Sequence, residues 1–478
     1  MLSVTDSLPF TILVTLFAIA VLVAVHEAGH FFVARWCGVK VLRFSVGFGK
    51  PIWRRLGRDG TEYVIAAIPL GGYVRMLDTR NETVSAAHLS SAFDQQNIYK
   101  RIAIVAAGPL INLAFAALLY SGVQYAGVPH LIPVMGAPEQ SSIAAQAGLQ
   151  SSQRIVAVDG VETASWNQVH LQLLHRLGDT GQIEILAQPL LEQELQRQAQ
   201  TPKEQRNKQV LPTRGYAQTY QLPVQNWLAT DLQVSPVAQL GLTVWRPQVA
   251  VVLERIIEGG AAEQAGLQAA DQITHFNNEP VTDYAVFVSR VQASPNQLVD
   301  ITFERQGIAR EATLRLHSKE LADGRLIGLI GVGVVGLAWP DSLLETPDLN
   351  IFQALGLGVY QVWQMMSLTL QTLQSMLVGQ VSVEHLSGPI SIAQVASSSA
   401  SMGLMSFVSF MAYLSVSLGV LNLLPVPMLD GGHLLYYLIE MVTGKPVPDK
   451  VQRIGLRIGM MLVLMIMFIA LFNDVARL

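Results

Sequence analysis

His26-Glu27-x-x-His30 is the stretch of this chain whose residue types and spacing most directly suggest chemistry. Residues four apart on a helix stand one above the other, so both imidazoles can turn toward one zinc ion. Glu27, beside them, could take a proton from a metal-bound water. Catalytic zinc sites use three protein ligands, commonly two histidines and a carboxylate. The single cysteine, Cys37, excludes a cysteine-based zinc site and any internal disulfide. The expected third ligand is Asp430, in Asn422-Leu423-Leu424-Pro425-Val426-Pro427-Met428-Leu429-Asp430-Gly431-Gly432-His433. Two prolines break a helix there, and irregular backbone at membrane depth is tolerated only where it lines a cavity. Asp430 also fits a plain cytoplasmic turn. His433 is a rival ligand, ranked below Asp430 because it would not complete a two-histidine, one-carboxylate set.

Residues so far apart need elements that bring them together. Residues 8–25 carry no charge and are long and apolar enough for a membrane helix. An ionisable cluster at the end of such a helix is a functional-site hypothesis by default. The alternative is a pair of interfacial histidines snorkelling at a helix end. With 51% hydrophobic and 14% charged residues over 478, the chain reads as an integral membrane protein carrying several domains and some soluble mass. A formal charge of −4 gives no reason to expect nucleic acid. Apolar runs at 102–128, 402–424 and 458–472, the last extended back toward Val451, bring the crossings to four. The N-terminus lacks a basic n-region, so the first run is expected to stay as an anchor. Basic residues crowd the loop after it (Arg35, Lys40, Arg43, Lys50, Arg54, Arg55, Arg58) and the loop from Lys445 to Arg457. The positive-inside rule puts both loops in the cytoplasm, both termini outside, and His26 toward the inner half of the bilayer. Asn112, an amide well inside the second run, is expected to bond a neighbouring helix or a site residue.

In the first basic loop, 41–49 and 62–76 read as strands of a β-hairpin, interrupted by glycines and Pro69. Its edge could pair with an extended substrate, or the hairpin could simply brace the helices. Farther on, Ile143-Ala144-Ala145-Gln146-Ala147-Gly148-Leu149-Gln150 recurs as Ala261-Ala262-Glu263-Gln264-Ala265-Gly266-Leu267-Gln268. The offset persists through Arg154–Gly160 and Gln272–Asn278, which means two copies of one domain. Each copy resembles the PDZ domain, which binds extended peptides or C-termini by strand addition. A Gln- and charge-rich insertion at 191–215 in the first copy reads as a solvated loop or an exposed helix and is assigned no function. Residues 351–380 are uncharged, with Gln361, Gln364, Ser367, Gln371 and Gln374 forming a polar stripe. A helix with this stripe could lie on the membrane surface or line a bundle; the surface is favoured, because a fifth crossing would put the end loops on the wrong sides. The expected domains are 1–128, a membrane core; 129–230 and 231–337, the two PDZ copies; 338–400, an amphipathic membrane-associated region; and 401–478, a second membrane core.

With His26-Glu27-x-x-His30, Leu429-Asp430-Gly431 and a repeated domain between them, the chain resembles the site-2 protease family of intramembrane zinc metalloproteases. Arg43-Phe44-Ser45-x-Gly47-Phe48-Gly49-Lys50, Gly71-Gly72-Tyr73-Val74, Ser387-Gly388-Pro389-Ile390-Ser391 and Ala470-Leu471-Phe472-Asn473-Asp474 extend the likeness over nearly the whole chain, least at 191–215. The resemblance implies an α-helical polytopic protein of the bacterial inner membrane, with about four crossings and a membrane-associated β-hairpin sheet. Two periplasmic, β-rich PDZ domains would lie between the second and third crossings. It implies one Zn2+ held by His26, His30 and Asp430 toward the cytoplasmic side, with Glu27 catalytic. Gly72, Tyr73, Val74, Arg75 and Met76 would form the substrate-binding strand, and Asn422, Pro425 and Pro427 would also meet the substrate. The implied partners are the lipid bilayer and single-pass membrane proteins: an anti-sigma factor already cut on its periplasmic side, and remnant signal peptides.

The reaction expected is peptide-bond hydrolysis within the membrane, on a substrate helix that has first been unwound. The PDZ pair could capture a newly made C-terminus or exclude substrates with bulky outer domains; both readings stay open. Two other classes compete, a non-proteolytic scaffold and a metal transporter, and both leave Glu27 without a task.

Overall fold

The computed structural model describes residues 8–80, 84–200, 210–228, 235–247, 250–281, 284–320, 325–334, 339–379, 381–382 and 388–476. Helix α1 (Leu8–Trp36) is apolar throughout its first two-thirds and carries the His-Glu-x-x-His residues in its last third, with Arg35 at its basic end. Two long bent strands follow, β1 (Val41–Leu56) and β2 (Glu62–Met76). They make more than a hairpin. Val41–Val46 pairs on one side with Gly72–Met76 and on the other with Glu62–Ile65, whose far side takes Trp53–Leu56. Gly72–Met76 is therefore an edge segment. Phe31, Ala34, Val39, Val41 and Ile104 form the small core that seats this sheet on the helices. Helix α2 (Ile98–Tyr125) begins at an Asn97 cap, whose side chain accepts the Tyr99 N–H, and contains Pro109.

The first repeat opens with β3 (His130–Leu131) and α3 (Ile143–Gln146). Its sheet runs β5-β4-β6-β7, built from β4 (Gln153–Val158), β5 (Val161–Glu162), β6 (Gly181–Pro189) and β7 (Gln218–Val224). Helix α4 (Trp166–Leu174) covers it, capped by Ser165. The insertion forms α5 (Glu192–Gln200), and 201–209 lie outside the described residues. Helix α6 (Pro236–Gln239) and the chain through Trp245 pack with this repeat: Leu240 and Leu242 sit in its core, and Trp245 N–H donates to the Val134 carbonyl. The boundary expected at 230/231 thus moves downstream, because these apolar residues complete the first core and not the second.

The second repeat has the sheet path β12-β11-β9-β8-β15. It contains β8 (Val251–Ile256), α7 (Ala261–Gln264), β9 (Gln272–Phe276), β10 (Glu279–Pro280), α8 (Tyr284–Gln292), β11 (Leu298–Arg305) and β12 (Ile308–Arg315). A ribbon of β13 (His317–Glu320) and β14 (Leu326–Leu329) precedes β15 (Val332–Val334). The chain leaves through β16 (Leu344–Glu345), which pairs with β3, so one two-strand stem carries both ends of the repeat pair. Over this stem the α5 insertion does structural work. Leu195 and Ala199 are buried with Ile132, Trp245 and Leu343, and Ser342 Oγ donates to Gln198 Oε1 at 2.6 Å. The insertion is thus a helix, as one of the two readings expects, but these contacts bury the face that was expected to be exposed.

Helix α9 (Ile351–Leu377) begins with a capping box of Asn350 and Gln353. Ala354, Gly358, Val362 and Met365 are buried, and Val362 and Met365 share a cluster with Ala116 and Tyr120 of α2. Phe352, Val359 and Trp363 remain exposed on its outer face. Helix α9 is fastened to the bundle by one apolar stripe, as the bundle-lining reading of 351–380 expects. Helix α10 (Pro389–Ser401) follows, then α11 (Leu404–Leu423), α12 (Asp430–Thr443) and α13 (Asp449–Ala476). Asp474 of α13 accepts the Gly388, Ile390 and Ser391 N–H groups at the start of α10, joining two segments that carry the family likeness. Among the described residues, four helices are long and apolar enough to cross a membrane: α1, α2, α11 and α13.

Candidate active site

His26 Nε2 lies 3.1 Å and His30 Nε2 3.4 Å from Asp430 Oδ2, and the two imidazole Nε2 atoms are 3.3 Å apart. Three donors on a tetrahedron with arms of about 2.0–2.1 Å stand roughly 3.3 Å from one another, so this triangle has the size of a zinc face. His433 stays outside the triangle and lines the neighbouring cavity instead.

Neighbouring helices hold each ligand in place. His30 Nδ1–H donates to the Ile104 carbonyl of α2 at 2.8 Å, which leaves Nε2 free to ligate. Asn112 is fully buried, its amide nitrogen 3.3 Å from His26 Nδ1 and its Oδ1 without a partner among the described residues. Amide O and N exchange places by a half-turn. The turned form accepts Nδ1–H from His26, satisfies the orphaned oxygen, and gives His26 the tautomer that ligates through Nε2. The donor set thus fits zinc by geometry and by tautomer. A methyl group at Gly108 would collide with His30 Nε2, so this position on α2 makes room for the imidazoles.

Asp430 opens α12 immediately after the broken segment. Pro425 and Pro427 cannot extend α11, and a side chain on Gly459 of α13 would strike the Pro427 carbonyl. Pro427 therefore packs on α13. Asn422, Pro425 and Pro427 do not line the active-site cavity; they belong to the broken segment that delivers Asp430.

The cavity, about 880 Å³, contains every other expected residue: His26, Glu27, His30, Asp430 and Gly72 through Met76. A methyl group on Gly72 would sit 2.9 Å from Glu27 Cγ and 2.7 Å from the Ser45 carbonyl, so glycine lets the edge strand lie directly over the catalytic turn of α1. The sequence reading missed Ile104, Gly108 and Arg101; Gly108-Pro109 inside an apolar run was the available signal. At the cavity wall, burial raises the Asp94 carboxyl, but the Thr79 hydroxyl and N–H outweigh this and hold it below its ordinary value. Asp78 grips Arg80 through two hydrogen bonds, and that grip raises the guanidinium further.

Two histidines from one apolar helix and an aspartate from another, with a glutamate beside them in a membrane bundle, define a zinc hydrolase built into the membrane. Peptidase family M50 matches residues 14–466, and the chain belongs to that family, the site-2 proteases. It is 41% identical over 461 residues to a Salmonella typhimurium protein described as regulator of sigma-E protease RseP, covering 96% of this chain and 97% of that one. It is 40% identical over the same length, with the same coverage, to the regulator of sigma-E protease RseP of Escherichia coli and to the protease RseP of Yersinia pestis. A solved PDZ domain from Listeria monocytogenes aligns with 18% of this chain at 18% identity and a TM-score of 0.16, a likeness too slight to define a fold. The protein is a zinc metalloprotease with multiple membrane helices.

Proposed function

We propose that this protease hydrolyses peptide bonds within the membrane segments of single-pass proteins, in the manner its relatives' names suggest for a sigma-E pathway. Its proposed substrates are an anti-sigma factor, after a first periplasmic cut, and remnant signal peptides. The supporting observation is the placement of the edge segment Gly72–Met76 beside Glu27 and the ligand triangle in one cavity.

His26, His30 and Asp430 are the proposed ligands. Zinc, when bound, polarises the scissile carbonyl and lowers the pKa of a water toward neutrality. The Glu27 carboxylate takes the water proton and hands it to the leaving amine. A membrane helix hides its peptide groups in internal hydrogen bonds, so cleavage requires an extended stretch. Among the described residues, Gly72–Met76 pairs only with β1, which leaves its outer edge to hydrogen-bond such a stretch. The proposed topology places both termini and both repeats, read as PDZ domains, in the periplasm of an inner-membrane protein. The repeats then restrict access until the outer domain of the substrate is gone.

Glu27→Gln tests the reading. The variant should retain zinc and lose turnover of a tagged single-pass substrate by on the order of a thousandfold or more. Cleavage at the wild-type rate would remove Glu27 from the mechanism and with it this assignment.

A further inference from the structure

Asp430 must meet two histidines that come from the other end of the chain, so the rotation of α12 bears directly on the ligand triangle. The far end of α12 is tied down. Glu440 Oε1 accepts Arg101 Nη2–H at 2.6 Å and Oε2 accepts Nη1–H at 3.3 Å, while the guanidinium lies 5.0 Å over the Tyr437 ring. The Arg101 and Glu440 side chains are only 16% and 20% exposed. Arg101 is in the first turn of α2, three residues before Ile104, so the two share a face. One turn of α2 thus holds His30 by its backbone and α12 by its side chain.

Asp430, His433, Tyr437 and Glu440 are spaced to share one ridge of α12, and all four line the cavity. Rotating a helix by about 10° sweeps an atom at its outer radius of roughly 5 Å through about 1 Å. Zinc ligands tolerate only about 0.2 Å. A clamp on Glu440 therefore acts on Asp430 through the rotation of the helix they share.

We propose that Arg101 and Glu440 are a positioning pair for the zinc site, setting the rotation of α12 that carries Asp430 to His26 and His30. Neither side chain touches the ligands. The proposal rests on the zinc-protease reading and adds to it a residue pair on the far side of the cavity.

The test is zinc affinity of the purified full-length protein in detergent, measured by competition with a chromophoric chelator. Arg101→Gln and Glu440→Gln should each bind zinc about 10- to 100-fold more weakly, the range seen for groups that orient metal ligands. The reversed pair, Arg101→Glu with Glu440→Arg, should recover most of that loss, and Arg101→Lys part of it, which general misfolding would not produce. With zinc in excess, the single variants should lose kcat while keeping KM. Wild-type zinc affinity in both single variants overturns the proposal, as does a reversed pair no tighter than the singles. Zinc binding is read without substrate, so a wild-type protein that holds zinc but cuts no membrane segment would count against the proposed function alone.

Discussion

The two repeats share a fold and a sequence offset, yet they are fastened differently. On α4 of the first repeat, Leu171 joins the apolar cluster of α2, α9 and α11, and His175 Nδ1–H donates to Gln371 Oε1 of α9 at 3.1 Å. Met376 and Val381, at and beyond the end of α9, pack into the core of that repeat. At the matching positions, on and just past α8, the second repeat has Ser289 and Ala293, which offer neither a large apolar anchor nor a ring nitrogen. Helix α8 instead borders a groove of about 390 Å³, lined by Phe287, Val291, Leu329 and Ile330. The difference teaches a division of labour. One copy is bolted to the membrane bundle, and the other presents an apolar groove that is open among the described residues.

The largest effect should come from breaking the bolt. Leu171 is 8% exposed, and Leu171→Asp would place an unpaired carboxylate in the cluster. Burying that charge unpaired costs about 3 kcal/mol, which lowers the ratio of docked to undocked repeat roughly a hundredfold. Cleavage of substrate that still carries its outer domain should rise, whereas Ser289→Asp at the exposed counterpart should leave it unchanged. An equal response to both substitutions would erase the distinction between the repeats.

A second contrast lies inside the two cores. Asp271 and Gln153 occupy equivalent positions, and each accepts the N–H of the residue three before it, Gln268 or Gln150. Asp271 is fully buried and binds Arg305 through Nε and Nη2, both at 2.7 Å, whereas Gln153 donates to the Tyr220 hydroxyl at 2.8 Å. Burial raises the Asp271 carboxyl, but Arg305 and the Gln268 N–H outweigh it and hold the carboxyl below its usual range. A carboxyl lowered on folding stabilises the folded state above its unfolded pKa of about 3.9, and the contribution fades as the pH falls through the lower folded value. In acid, the second repeat should therefore lose stability before the first, as hydrogen exchange of each repeat would show. At neutral pH, Asp271→Asn should cost about 3 kcal/mol and Gln153→Ala about 1 kcal/mol.

Much of this arrangement was legible in the sequence, and the legible part had local causes. Four apolar runs, the i, i+4 histidines and the constant repeat offset are patterns that a helix or a duplicated domain prints directly on the chain. Asp430 was legible because two prolines and two glycines announce broken helix beside a carboxylate. Arg101 and Glu440 were not: each looks like an ordinary charge near a helix end, and their pairing exists only after α2 and α12 meet. The same holds for Leu171 and for Leu195 of α5, which read as unremarkable apolar positions until a partner surface covers them. Around Pro425 and Pro427 the motif was visible, but the packing of Pro427 on α13 depends on Gly459, more than thirty residues away.

The smallest effect on stability, and the sharpest on the comparison, should come from the groove. Leu329 is 40% exposed at its lip, so Leu329→Glu should change the unfolding free energy of the second repeat by no more than about 0.5 kcal/mol. If the groove takes an apolar C-terminus, as the PDZ reading proposes, a carboxylate there repels the terminal carboxylate of the peptide as well as removing apolar contact. Binding of a peptide ending in valine, followed by fluorescence anisotropy on the full-length protein, should then weaken about tenfold, the equivalent of about 1.4 kcal/mol. The same peptide should bind Leu171→Asp as well as it binds the wild type, because that substitution frees the first repeat and leaves the second repeat's groove intact. If Leu329→Glu leaves peptide affinity unchanged while Leu171→Asp still releases cleavage of uncut substrate, the second repeat acts by bulk alone. The pair then gates by steric exclusion, and its mooring through the first repeat is the feature that makes exclusion effective.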